Sequence, residues 1–256
     1  TKGVIAALNI TGPFNIQFIA KDNKLKVIEC NLRASRSFPF VSKATKFNFI
    51  EIAINSILNK EEDKEYNTLD LEYVVVKSPQ FSYRRIKEAD PLSYVEMAST
   101  GEVASFGDNF YEAFLKSLIS SDFNLKGKNI LVSLGKEQNK LKLLPGLYKL
   151  TRMKYNIFAT EHTADFLKIH DIRCKKVYKI HTNKNPNVLD LLNNKEIDLI
   201  INIPEQFLKR EASDGYIIRR KAIDIGIPLI SNLQIAVAFI NSLDNNKLNV
   251  KEYDKY

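Results

Sequence analysis

The chain has little of what marks several protein classes. Cysteine occurs twice in 256 residues, at Cys30 and Cys174, in separate regions and outside any CxxC or Cys/His cluster. That excludes a disulfide framework and a thiolate metal site, and it points to a reducing, cytoplasmic setting. The three histidines, His162, His170 and His181, lack the i, i+4 spacing of a helical metal pair. No apolar run approaches the roughly 20 residues that cross a bilayer, and no signal-peptide pattern precedes the first strand, so no membrane partner is expected. The net charge is +8, yet the lysines are dispersed from Lys21 to Lys255 and form no tract with interleaved aromatics. That is a solvated surface, and no nucleic-acid partner is expected. Ser35 and Ser37 stand beside arginines without a His/Asp arrangement, which leaves nucleophilic catalysis unsupported. Internal repeats and low-complexity segments are absent. What remains is a globular composition, 45% apolar and 27% charged, sufficient for one or two cores.

The richest segment is Thr11 to Lys43. Phe14 to Ala20 and Leu25 to Asn31 carry strand-forming residues around the turn signal Asp22-Asn23 and read as a β-hairpin. With Asp22 to Lys24 as the loop, Gln17 falls opposite Glu29, and the two-residue period puts Asn31 on the face of Glu29. One carboxylate and two amide oxygens would converge there, a hard donor set that suits Mg²⁺ on a nucleotide better than a closed protein cage. Arg33 and Arg36 follow, and guanidinium groups match phosphate or carboxylate oxygens two at a time. An ordinary edge hairpin with a polar wet face would use the same residues, and spacing alone does not separate the two.

The chain divides near residue 128, with 1–122 before a linker at 123–128 (Lys126-Gly127-Lys128 at its core) and 129–256 after it. In the first part a helix is expected over Phe47 to Leu58, with Phe49, Ile50, Ala53, Ile54 and Ile57 on its apolar face. The mixed-charge run Lys60 to Glu65 reads as a solvated loop, Leu71 to Lys77 and Glu102 to Phe106 as strands, and Pro79 and Pro91 as marks of irregular chain. Asp108-Asn109 caps a helix whose apolar face is Phe110, Ala113, Phe114 and Leu118.

From Asn129 strands and helices alternate. Strands are expected at 130–134, 157–159, 176–178, 198–203 and 228–230, and helices near 142–153, 163–170, 188–192, 219–224 and 233–242. Pro145-Gly146 would delay or kink the first of these helices. Alternation of this kind predicts a doubly wound α/β domain with a parallel sheet, whose ligands sit beyond the carboxyl ends of the strands. Thr160 and Thr163 in FATEHTADFL stand at the start of such a helix, where free N–H groups suit a phosphate. Plain N-capping by either threonine needs no ligand.

IECNLRASRSFPFVSKAT, with the upstream TGPFNIQF and the downstream EMASTGEVASFG, resembles the large subunit of carbamoyl phosphate synthetase at the end of its second ATP-grasp half. FATEHTADFL and YIIRRKAIDIGIPL resemble that enzyme's C-terminal regulatory domain, related in fold to methylglyoxal synthase. Together these cover nearly the whole chain, and IExNxRxSR is a long, ordered motif. The resemblance implies that Gln17, Glu29 and Asn31 hold Mg²⁺ (or Mn²⁺) on ATP, and that Arg33 and Arg36 are catalytic residues facing phosphates during phosphorylation of carbamate. It also implies an effector-phosphate site at Lys140, Thr160, Thr163, Lys179 and Asn202. The remaining partners would be the rest of the synthetase and a glutaminase domain or subunit. The glycine-rich phosphate loop of an ATP-grasp fold is not visible, and the chain starts at Thr1 in what reads as mid-domain sequence. A fragment of a larger enzyme, inactive alone, is expected.

The chain departs from the family at the effector pocket. Ile203-Pro204 replaces residues that add a hydroxyl in bacterial relatives. Gly215 and Lys179 stand where relatives responsive to N-acetylglutamate carry asparagine and tryptophan, so UTP, UMP or phosphoribosyl pyrophosphate is the better expectation. A methylglyoxal synthase is disfavoured because the family's acidic residue appears here as Asn185 and the later acidic position, near Pro204-Glu205, lacks its Trp-Asp-Pro context. A stand-alone nucleotide-binding regulatory protein is the remaining alternative.

Overall fold

The computed structural model describes residues 1–60, 71–92, 99–123, 127–182, 184–205, 213–244 and 248–256. Most of the expected charged loop after Lys60, the Glu96-Met97-Ala98 start of EMASTGEVASFG, and Lys126 of the expected linker lie outside these residues. The chain forms two compact units, Thr1–Val75 and Val76–Tyr256. The division thus falls some 50 residues before the expected linker.

The first unit begins with helix α1 (Lys2–Leu8) and the antiparallel hairpin β1 (Asn15–Lys21) and β2 (Lys24–Asn31). Asp22 and Asn23 both take positive φ, 49° and 58°, which is the signature of a two-residue type I′ loop. The expected three-residue loop is therefore corrected: Lys21 pairs with Lys24. One residue is regained further on, where Phe18 pairs with Val27 and Gln17 with Glu29, leaving Ile28 as an extra residue in a bulge. Helix α2 (Ser37–Thr45) and helix α3 (Phe49–Ile57) follow. Asn48 Oδ1 accepts the Glu51 amide at 3.3 Å and starts α3 two residues later than expected. Phe38 and Ala44 are the buried apolar residues of this unit among those described. The expected apolar face of α3 is open, with Ile50, Ile54 and Ile57 exposed at 38%, 50% and 78%.

Strand β3 (Val74–Gln80) crosses the division and pairs with β4 (Gly101–Gly107). Pro79 lies inside β3, against expectation. A two-stranded sheet gives β3 a free edge, where a residue without an N–H costs no ladder bond. Helix α4 (Phe110–Ser120) starts where Asn109 Oδ1 accepts the Glu112 amide at 3.0 Å, and it buries Ala113, Phe114 and Leu115 while leaving Phe110 exposed.

The rest of the second unit is the alternating pattern: β5 (Asn129–Leu134), α5 (Glu137–Arg152), β6 (Asn156–Thr160), α6 (Glu161–Ile169), β7 (Lys175–Val177), α7 (Val188–Asn193), β8 (Leu199–Ile203), α8 (Asp214–Ile225), β9 (Leu229–Ile230) and α9 (Leu233–Asp244). The strands form one parallel sheet in the order β7-β6-β5-β8-β9. Side chains alternate across it. Ile130, Val132, Leu134, Leu199, Ile201 and Ile203 join Leu143, Leu147, Phe239 and Ile240 of α5 and α9 on one face. Leu131, Phe158 and Ile200 join Leu191, Leu192, Ile218 and Ala222 of α7 and α8 on the other. A parallel sheet covered on both faces requires these near-continuous apolar strands.

Helix α5 starts at Glu137, earlier than expected, and runs through Pro145. Pro145 is exposed, so the carbonyl that loses its helical donor lies on the wet side. Gly146 sits against α9, where a Cβ would stand 2.9 Å from Ile240 Cδ1. The strand order reverses between β5 and β8, the place where such folds open a crevice at the strand ends.

Candidate functional sites

On the hairpin the bulge at Ile28 sets the geometry. Gln17 and Glu29 are direct cross-strand partners, and Asn15 and Asn31 form the next pair on that face. Asn31 Nδ2 donates to Glu29 Oε1 at 3.1 Å, which leaves its amide oxygen pointing elsewhere. Gln17 and Glu29 are exposed and Asn31 is half-buried. No group of three or more His, Cys, Asp or Glu able to hold a metal occurs among the described residues, so any ion here relies on one carboxylate and on amide oxygens. Arg33 and Arg36 are exposed, with Arg36 at the N-cap position of α2. Arg33 Nη1 donates to the Ala34 carbonyl at 3.2 Å.

The second site is a pocket of about 980 Å³ beyond the carboxyl ends of β5, β6 and β8. Ser133, Thr160 and Asn202 come from those strand ends, Lys140 from α5 and Lys179 from the segment after β7. Thr160 is 4% exposed, occupies the N-cap position of α6 without capping it, and donates to Ser133 Oγ at 3.2 Å. Lys140 Nζ donates to the His162 carbonyl at 3.3 Å. Lys179 lines the pocket with no carboxylate partner among the described residues. Thr163 lies one layer behind the pocket lining: its Oγ1 accepts the buried Leu134 amide at 3.0 Å and lies 3.5 Å from the Thr160 hydroxyl, which donates to it.

Sequence reasoning missed Ser133, Arg219 and the pair His181–Asp214, which all line the pocket. His181 Nδ1 and Asp214 Oδ2 are 2.7 Å apart. Ser133 was open to discovery, as the last polar residue of the strand at the reversal. Arg219 gave no local signal, because its carboxylate partner Asp90 lies 129 residues away.

Residues 1–61 match the model for the carbamoyl-phosphate synthase L chain ATP-binding domain, and residues 142–231 match that for the MGS-like domain. The multifunctional protein URA2 of Saccharomyces cerevisiae is 47% identical over 259 residues, covering 97% of this chain and 12% of its own length. The chain belongs to the carbamoyl phosphate synthetase family. Two further relatives are the mitochondrial carbamoyl-phosphate synthase [ammonia] of Homo sapiens, 38% identical over 257 residues, and the multifunctional protein CAD of Squalus acanthias, 41% identical over 250. They match 96% and 92% of this chain, which spans 17% and 11% of their lengths. Membership gives the two sites their order along the chain: the hairpin lies in the matched ATP-binding part, and Thr160, Lys179 and Asn202 lie in the matched MGS-like part. No helix among the described residues is long and apolar enough to cross a membrane.

Proposed function

We propose that this chain completes the carbamate-phosphorylating site of a carbamoyl phosphate synthetase and carries the effector-binding module of the same enzyme, in pyrimidine biosynthesis. The observation that carries the reading is the pairing of Gln17 with Glu29, next to Asn31, on a hairpin inside the matched ATP-binding part. Hard oxygen donors with a single negative charge fit Mg²⁺ or Mn²⁺ that keeps further positions for nucleotide phosphates. Glu29 holds the charge that fixes the ion, and Gln17 and Asn31 supply neutral oxygens. Mg-ATP, when bound, provides the phosphoryl group and the metal's positive charge. Arg33 and Arg36 contribute two permanent cations in line after the trio, suited to steady negative oxygens on the transferred group or the product.

The apolar surface of the first unit supports the same reading. Phe18, Ile19, Leu25, Val27 and Ile28 of the hairpin are all more than 40% exposed, a density of uncovered hydrophobes that calls for packing by the rest of an ATP-grasp domain. In the second unit, Lys179, Lys140 and the hydroxyls of Thr160 and Ser133 form a polar, cationic corner at the first turn of α6. Free N–H groups and the positive dipole end favour a phosphorylated effector there. UTP, UMP and phosphoribosyl pyrophosphate are the expected class.

The test is the ATP-dependent formation of carbamoyl phosphate. The complete parent protein forms it, and Glu29→Ala lowers the rate by about 10²- to 10³-fold. The 256-residue chain alone forms none. Full activity in the Glu29→Ala protein refutes the site, and turnover by the chain alone refutes the reading of it as one part of the machinery.

A further inference from the structure

Arg219 joins the pocket to a stretch of chain that the effector reading leaves unused. Its residue is 2% exposed, and its donors divide between two partners. Nε and Nη2 clamp the Asp90 carboxylate at 2.8 and 2.5 Å, while Nη1 donates to Asn202 Oδ1 at 2.9 Å. Asn202 and Arg219 both line the pocket. Asp90 belongs to residues 83–92, which follow β3 and lie strapped along α8. Arg220 Nη1 donates to the carbonyls of Tyr83, Ile86 and Ala89, each at 3.1 Å, and the Tyr216 hydroxyl donates to the Glu88 carbonyl at 2.8 Å. Residue 215 leaves room beside the guanidinium because it is glycine: a Cβ there would stand 3.1 Å from Nη1.

One buried cation is thus shared between a pocket wall and a strap. A guanidinium keeps its proton at any working pH, so its charge must always be answered by an anion. Asp90 answers it here. A phosphate or carboxylate that reaches Asn202 and Nη1 brings a second anion to the same buried guanidinium, and the two anions repel each other. We propose that an anion in the pocket competes with Asp90 for Arg219, so that occupancy loosens the hold on residues 83–92. Arg219 is then a positioning residue with two arrangements, closed on Asp90 or turned to ligand. This rests on the effector-pocket reading and adds the pair through which occupancy reaches the segment that follows β3. Linkage is reciprocal: if ligand weakens the strap, weakening the strap tightens ligand.

The experiment uses the complete parent protein with UTP as probe, reading the UTP dissociation constant and amide hydrogen exchange over residues 83–92. In the unaltered protein UTP speeds exchange in that segment. Asp90→Asn binds UTP about tenfold more tightly, equivalent to about 1.4 kcal/mol, exchanges quickly there without UTP, and changes no further when UTP is added. Asp214→Asn removes another pocket-lining carboxylate, the one paired with His181, and keeps the response of 83–92 to UTP. A clamp that is merely structural gives the opposite pattern, with Asp90→Asn destabilised and UTP affinity unchanged or weaker, and that overturns the inference. UTP that binds the unaltered protein and leaves exchange over 83–92 as it was also overturns it, while the pocket reading stands. Failure of both UTP and phosphoribosyl pyrophosphate to bind the unaltered protein removes the pocket reading and the inference with it. Should Asp90→Asn fold poorly, the unaltered protein with and without UTP decides alone.

Discussion

Thr163 Oγ1 accepts the Leu134 amide at 3.0 Å and ties the end of β5 to the first turn of α6. Three residues earlier Thr160 lines the pocket, and its hydroxyl donates to Thr163 Oγ1 at 3.5 Å. Thr163→Val leaves a buried N–H without an acceptor and is expected to cost about 1–3 kcal/mol of stability. Thr163→Ser keeps the oxygen and costs about 1 kcal/mol for the lost methyl. Denaturant unfolding of both variants checks the order. Equal losses would show that the hydroxyl contributes nothing.

A second prediction concerns pH. Burial pushes the Glu112 carboxyl up, but the hydrogen bond from Lys116, the amides of Asp108 and Asn249 and the Lys116 charge outweigh it and hold the carboxyl below its ordinary 4.5. Burial likewise pushes the Lys116 ammonium down, and its bonds to Glu112 and Tyr256 outweigh that and hold it above 10.5. A depressed carboxyl stabilises the fold above its unfolded value, and that stability is lost as pH falls through the folded value. A raised ammonium stabilises the fold below its unfolded value, and that stability is lost as pH rises through the folded one. Glu112→Gln should therefore flatten the loss of stability below about pH 4.5, and Lys116→Met the loss above about pH 10.5. Melting temperatures across a pH series read both limbs. Unaltered slopes in the variants would remove the pair from the account.

The hairpin trio should separate activity from stability. Glu29 and Gln17 are exposed, so Glu29→Ala and Gln17→Ala are expected to change stability by no more than about 0.5 kcal/mol. Their activities should differ in kind: extra Mg²⁺ restores much of the rate to Gln17→Ala, which loses a neutral donor, and little to Glu29→Ala, which loses the charge. A metal titration of the parent enzyme's rate measures this, and identical metal dependence in the two variants would contradict the roles given to them.

The alternating half of the chain was legible because its strands are short apolar runs between amphipathic segments, and all five appear in the parallel sheet within a residue or two. The hairpin pairing was legible for a mixed reason. A three-residue loop was expected, a two-residue loop forms, and the bulge at Ile28 supplies the missing residue, so Gln17 meets Glu29 all the same. The expected delay of α5 does not occur, because the helix starts at Glu137 and carries Pro145 on an exposed side. The apolar face of α3 was legible from periodicity, which reports amphipathicity but not whether a partner covers it. Arg219 was out of reach, since a guanidinium shared between Asp90 and Asn202 is a product of the folded chain and leaves no mark in local sequence.

The central claim, that the pocket beside Thr160 and Lys179 answers to a phosphorylated effector, is tested most directly by the melting temperature of the parent protein with UTP, UMP, phosphoribosyl pyrophosphate and N-acetylglutamate in turn. At about 100 times its dissociation constant a ligand adds about 2.7 kcal/mol, which moves the melting transition of the module that holds the pocket by several degrees. The account predicts that at least one phosphorylated compound produces this shift, that Thr160→Ala and Lys179→Ala reduce it, that Lys179→Ala also lessens its dependence on salt, and that N-acetylglutamate produces none. A shift with N-acetylglutamate and none with any phosphorylated compound would contradict it.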